Sequence, residues 1–343
     1  MGSDSPLAGS DAERRISAAL AAQLRARGRT SEVETFWCRP NWPLVQAWHV
    51  ALAVAGSLVA VNHPHVGAAL ILVALITLLA DWSLTRSPGR HLSGERASQN
   101  IVSPSPTSRP VTLVVTAPYD APRHGLARRL PQAPIGWMGV LALLMASTLV
   151  IALLRIEGHR DTVLSVLQVV PTFGLILAAA LLLDLALGSP RDQRQSSEAS
   201  SAALALVRAL DAAPPARLAV ELVLTGASAD YGLGLRNYLR RRRRAQNPGN
   251  TVVLGIGGSS EGKPRFLESD GPLLPLGYYK QLRRLAADVA TPARGRGCSA
   301  AIPARMRGLP AINLEGGSSS ERVQAGLLLV DAIDAYVASL PRG

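Results

Sequence analysis

Four long apolar stretches constrain this chain more than any other feature. Residues 44–62, 66–80, 136–154 and 162–183 run for 19, 15, 19 and 22 residues without a formal charge, the last interrupted only by Gln168 and Pro171. A helix that crosses a bilayer needs about 20 such residues. The second stretch reaches that length when Asp81 and Trp82 sit in the interface. A helix buried in a globular core keeps a polar stripe along one face, whereas LALLMASTLVIALL and ILVALITLLA have none. All four therefore read as membrane spans, paired into hairpins by connectors at 63–65 and 155–161. Composition agrees: 48% of the residues are hydrophobic, 17% are charged, and the mean hydropathy is +0.19. Such a chain is not wholly disordered.

The basic residues orient the spans. Of the 36 lysines and arginines, all but Arg155 and Arg160 lie outside the two connectors. The excess marks the cytoplasmic side, so the reading is a multi-pass cell-membrane protein with both termini and its soluble domain in the cytoplasm. No signal peptide is expected, because the first apolar run begins late in a Ser-, Asp-, Ala- and Arg-rich N-terminus. Cys38 and Cys298 should be reduced thiols. The near absence of lysine (Lys263 and Lys280 alone) beside abundant Ala and Arg suggests a GC-rich bacterial genome.

The remaining residues read as one α/β domain. Helices are expected over 11–28 (capped by Asp11), 197–210, 231–244, 276–289 and 320–340, and strands over 111–117, 218–224, 251–255, 265–268 and 311–314. Alternating strands and helices predict a mixed, mainly parallel sheet with helices on both faces, interrupted by two transmembrane helical hairpins. The expected divisions are 1–43 (N-terminal helical part), 44–85 (first hairpin), 86–135 (linker and first strand), 136–187 (second hairpin) and 188–343 (main part of the domain).

The segments VTLVVTAPYDAP (111–122), SSAALALVRAL (200–210), LAVELVLTGASADYGLGLRNYL (218–239) and ARMRGLPAINLEG (304–316), together with Asn100-Ile-Val102, resemble the twenty-eighth metallopeptidase family. These are di-zinc aminopeptidases and carboxypeptidases whose fold extends to nicastrin and the transferrin-receptor ectodomain. The resemblance covers roughly 100–122 and 197–316. It implies a site of two His and three Asp or Glu ligands plus a Glu general base. Carried over position by position, the first His ligand becomes Pro118 and its orienting Asp is kept as Asp120. The bridging Asp becomes Ser197 and the Glu pair becomes Ala229-Asp230. The later Asp becomes Gly255 and the final His becomes Ala301. No histidine follows His159 in the whole chain, so the late His ligand has no substitute.

Other patterns carry less. Gly255-Ile-Gly-Gly-Ser-Ser260 lacks the third glycine and the following helix of a nucleotide loop, and reads as a turn. Ser260-x-x-Lys263 lacks a helical context for a nucleophile. Asp120 with His124 reads as a loop-end Asp capping amides rather than an acid–base pair. His63 and His65 read as solvated turn residues. Asp81 and Asp184 read as interfacial partners of arginine. Arg240, Arg241, Arg242, Arg243 and Arg244 offer either contact with anionic lipid head groups or a solvated helix end. Nucleic acid is not expected, because aromatics are only 4%.

The function these readings support is a membrane pseudopeptidase: a non-catalytic binding or scaffold protein with no cofactor, the lipid bilayer around it and a protein or peptide partner. The alternative is an active membrane-bound, zinc-dependent aminopeptidase or other hydrolase with a rearranged site on Asp120, Asp192 and Asp230.

Overall fold

The computed structural model describes residues 6–84, 87–126, 136–158, 162–188, 193–258 and 260–339. The chain opens with α1 (Asp11–Ala26) and β1 (Glu32–Cys38), then enters α2 (Trp42–Val59) and α3 (Pro64–Leu84). A 3-10 turn (Pro88–Leu92) leads to β2 (Arg96–Ser103) and β3 (Val111–Pro118). After α4 (Trp137–Ile156) and α5 (Thr162–Leu187) come α6 (Gln193–Ala212), β4 (Leu218–Thr225), α7 (Leu233–Arg241), β5 (Thr251–Ile256) and β6 (Ser260–Asp270). The chain ends with β7 (Leu276–Gly277), α8 (Lys280–Ala287), β8 (Thr291–Arg294), α9 (Ile302–Met306), β9 (Ala311–Gly317) and α10 (Ser319–Ser339).

These strands form one sheet of order β1-β2-β4-β3-β5-β9-β6-β7, with β8 beside β6. Its centre is parallel: β3 pairs with β4 and β5, and β5 with β9. β1, β2 and β7 add antiparallel pairs at the edges. The central strands are apolar on both faces, as a parallel sheet buried on both sides requires. Leu113, Val115 and Ala117 pack with residues of α1, α6, α8 and α10, while Val114 packs with α7 and α9.

Both hairpins are insertions into this sheet. β1 pairs with β2 across the first hairpin, and β3 pairs with β4 across the second. The registers place the end of β1, the start of β2 and the ends of β3 and β4 at one edge, the carboxyl edge of the parallel strands. The helical bundle therefore stands over that edge.

Four helices among the described residues, α2 to α5, are long and apolar enough to cross a membrane. Their inner faces meet through Val50 and Ala53 of α2, Leu78 of α3, Met145 of α4 and Leu175 of α5. Small residues let α2 and α3 touch closely: a Cβ on Gly67 would stand 2.4 Å from the Ala60 Cβ. The outward faces are apolar too. Val170 is 70% and Phe173 66% exposed, a surface that suits lipid rather than water.

Several local expectations are corrected. Ser10, not Asp11, caps α1, its Oγ accepting the Glu13 N–H at 3.1 Å. The N-terminal part contains a strand as well as a helix, and 86–135 contains two strands. The short strand at 265–268 is part of an 11-residue one. The helix expected from 276 begins at Lys280, because Leu276 and Gly277 are drawn into pairing with Asp270 and Ser269. The helix expected to reach 244 stops at Arg241. Ser318 caps α10, accepting the Glu321 N–H while Glu321 accepts the Ser318 N–H at 2.7 Å, a capping box.

Candidate functional site

The loop after β4 governs the carboxyl edge. Ala227 and Tyr231 hold φ of 47° and 50°, the left-handed region that costs a side chain about 1–2 kcal/mol. What holds the loop is Asp120, just past β3. Its two carboxylate oxygens accept the Ser228 and Ala229 amides at 2.9 and 3.2 Å. Asp120 is buried, and burial raises its carboxyl to about 6 although those amides oppose the rise. The expectation of a loop-end Asp on amides describes the geometry, but the amides come from a loop 108 residues away. His124 plays no part in those bonds.

Asp230 follows in the same loop and is buried with a different partner. Arg90, in the 3-10 turn after the first hairpin, donates to both its oxygens at 3.1 Å. The same guanidinium donates to both oxygens of Asp81 near the end of α3, at 2.7 and 3.1 Å, and to the Arg39 carbonyl at 2.9 Å. Burial would lower the Arg90 guanidinium, but the Asp230 and Asp81 carboxylates outweigh it and hold it above its ordinary value. Sequence reasoning paired Asp81 with an unspecified arginine and missed Arg90. The available signal was an arginine nine residues past an aspartate near the end of an apolar helix.

The other positions carried over from the resemblance lie as follows. Pro118 ends β3 and lines the cleft described below. Ser197 is exposed; its neighbour Ser196 turns inward, its hydroxyl donating to the Asp120 carbonyl at 2.6 Å. Ala229 is exposed at the cleft wall. Gly255 and Ala301 face each other: a Cβ on Gly255 would stand 2.4 Å from Asn313 Oδ1 and 2.8 Å from the Ala301 Cβ. A carboxylate at 255 has no room. Asp192 lies outside the described residues. Among the described residues no three His, Cys, Asp or Glu side chains cluster to hold a metal. The donors that remain are engaged, Asp120 by amides and Asp230 by Arg90, so these residues do not fit a zinc pair, which needs several open ligands per ion.

Between the carboxyl edge and the ends of the hairpins lies a cavity of about 370 Å³. Trp42 and Gln46 of α2 and Trp137 and Met138 at the start of α4 form its wall toward the hairpins, and Pro118, Asp120, Ser196 and Tyr231 its sheet side. Tyr231 joins the two: its ring lies 5.8 Å from that of Trp42 and its hydroxyl accepts from Gln46. Cys298 also lines the cavity, and burial pushes its thiol up to about 12, so no thiolate nucleophile is available there.

The domain also caps the hairpins. Arg236 donates to the Trp82 and Ser83 carbonyls near the end of α3, at 3.1 and 3.0 Å, and Arg123 donates to the Ala186 carbonyl of α5 at 2.9 Å. Each cation meets the negative end of a helix. Among the described residues Asp184 accepts the Leu126 amide at 2.6 Å; the neighbouring Arg128 and Arg129 lie outside them. The arginine run divides. Arg242 pairs with Glu34 of β1 at 2.6 Å, and Arg241 donates to the Thr35 carbonyl at 2.7 Å. Arg240 and Arg243 instead line a second groove.

No protein family matches the chain by sequence profile, and no curated protein matches it. Among solved structures it is similar to a glutaminyl cyclase of Fimbriiglobus ruber, with 12% identity, a TM-score of 0.46 and 96% of this chain covered against 90% of that one. It is also similar to a zinc aminopeptidase of Bacillus subtilis, with 13% identity, a TM-score of 0.47 and coverage of 97% and 91%. A leucine aminopeptidase precursor of Bacteroides thetaiotaomicron shares 9% identity, with a TM-score of 0.47 and coverage of 96% and 90%.

Proposed function

We propose that the protein is a multi-pass membrane pseudopeptidase: its peptidase-like domain binds a protein or peptide partner and does not hydrolyse it. The observation that carries this reading is the double ion pair of Arg90. In the resembled family the carboxylate at position 230 would help hold a metal. Here a guanidinium already satisfies both its oxygens, and the same cation ties it to the first hairpin. Position 229 has no carboxylate to act as general base, and the space beside Gly255 is filled. The cavity under the hairpins, walled by Trp42, Trp137, Met138 and Tyr231, suits an apolar segment of the partner.

On this reading four spans bring both termini and the domain to one side, and the distribution of arginine favours the cytoplasm for that side. Reporter fusions at 64 and 158 should read exterior and those at 110 and 343 interior; an exterior signal at 110 or 343 would overturn this arrangement. The catalytic question is tested on purified full-length protein by zinc content and by hydrolysis of aminoacyl anilides with and without added zinc or cobalt. The expected result is no stoichiometric zinc and no chelator-sensitive turnover, unchanged in Pro118→His. Bound zinc together with turnover abolished by Asp230→Ala would establish the enzyme instead.

A further inference from the structure

The second groove, about 1120 Å³ in volume, is lined by Arg90 among other residues. Arg39, Arg236, Arg240, Arg243 and Arg307 line it, against one carboxylate, Glu95. Arg90 also reaches it, but its charge is spent on Asp81 and Asp230. Among the described residues none of the other five is paired with an acid. Arg236 gives its donors to backbone carbonyls and to the Met306 sulfur. Arg39 donates to the Arg90 carbonyl at 3.2 Å and to His91 at 2.9 Å. Arg307 donates to the Leu239 carbonyl. Carbonyl oxygens satisfy donors without cancelling charge, so the groove keeps a strong positive field. Burial and the neighbouring Arg243 guanidinium lower Arg307 below its ordinary value, as like charges gathered in one place do.

Position selects the anion. Ser83, at the domain end of α3, and Ser87 form one wall. At the rim Trp37 of the edge strand β1 is 69% exposed, and Leu92 beside the groove is 53% exposed. An indole and an aliphatic side chain next to unpaired arginines, at the end of a span, is the pattern of a surface that sits at head-group depth.

We propose that this groove binds the phosphate head group of an anionic phospholipid in the leaflet facing the domain, with Arg240 and Arg243 as its open donors. The proposal rests on reading α2 to α5 as membrane spans. It separates the arginine run by role: Arg241 and Arg242 hold β1, Arg240 and Arg243 hold lipid, and exposed Arg244 does neither.

The test is native mass spectrometry of the full chain, purified with mixed phosphatidylglycerol and phosphatidylcholine and then progressively delipidated. The wild type should retain phosphatidylglycerol in preference. Each arginine at an anionic surface contributes roughly fivefold, so R240Q/R243Q should lower that preference by about tenfold or more, and R244Q should leave it near wild type. Wild-type preference in R240Q/R243Q, or an equal fall in R244Q, would overturn the proposal. Displacement of the lipid by free glycerol phosphate as readily as by added phosphatidylglycerol would overturn the lipid source in favour of a soluble phosphate. Failure of the membrane reading would show separately, as protein recovered soluble without detergent.

Discussion

The two ends of the helical bundle are held by different chemistry. At the domain end Arg90 is buried between two carboxylates, Asp81 and Asp230, with Asp120 and Glu13 close behind. At the far end Arg155 of α4 is also buried, and among the described residues its donors go to neutral acceptors of α5, Gln168 Oε1 at 3.1 Å and Ser165 Oγ at 3.0 Å. Gln168 in turn donates to the Ser57 hydroxyl of α2 at 3.0 Å, and Ser57 meets Thr172 at 2.7 Å. Among the described residues no carboxylate takes part in that network. The difference follows from the surroundings. Arg90 stands between two buried carboxylates, whose charges it compensates. Arg155 stands at the end of its helix; on the proposed membrane-span reading, that end would bring its long side chain to the interface, where amides and hydroxyls suffice.

The largest effect should come from breaking the domain-end lock. Arg90→Leu leaves Asp81 and Asp230 buried without a counter-ion, a change that costs about 3–5 kcal/mol. The expected outcome is loss of monodisperse protein in size-exclusion chromatography, or a Tm far below wild type. Arg90→Lys keeps the charge but cannot serve two carboxylates as a bidentate fork, so it should fall between. An Arg90→Leu protein that melts like wild type would mean that the two ends do not differ in kind.

How far the sequence discloses this arrangement depends on the signal each part leaves. VTLVVTA and LAVELVL are strands on sight because both faces are apolar. EVETFWC of β1 and RASQNIVS of β2 are not, because their burial is bought by specific bonds: Ser98 to Glu13 at 2.6 Å, Asn100 to the Gly234 carbonyl at 2.9 Å. Asp120 and Asp230 could be marked through the resemblance. The Arg90–Asp230 pair could not, since it spans 140 residues of chain; only the Asp81 half, nine residues from Arg90, left a local signal. The choice of Ser197 over Ser196 is a matter of helix phase: one residue along α6 turns a side chain from the cleft to solvent.

A second prediction concerns pH, and it should act at the domain end alone. Glu13 is fully buried, and burial raises its carboxyl from 4.5 to about 7; Asp120 is raised from 3.8 to about 6. For each, the protonated form suits the folded state better than the unfolded one. Their stabilising contribution is therefore complete below the unfolded values and is lost as pH rises through about 6 for Asp120 and about 7 for Glu13. For Glu13 alone the span is worth roughly 3 kcal/mol. Tm should fall between pH 5 and pH 8, and Glu13→Gln, which stays neutral and keeps an acceptor for Ser98, should remove most of its share. A Glu13→Gln protein with the wild-type pH dependence would take Glu13 out of the account.

The smallest effect is expected at the far end. Gln168→Leu removes the donor to Ser57 and the acceptor of Arg155, but it leaves Arg155 with Ser165 and Ser57 with Thr172. Hydrogen bonds between membrane helices are worth about 0.6 kcal/mol on average, and less than 2 at most, so the Tm should drop by a few degrees at most. The drop should be the same at pH 5 and pH 8, because none of the described members of that network is an acid. A Gln168→Leu loss as large as that of Arg90→Leu would show that Arg155 is as enclosed as Arg90 and depends on Gln168 as its only adequate partner. The reading of the far end as a neutral lock open to the interface would then fail, and with it the explanation of why the domain end carries the charges.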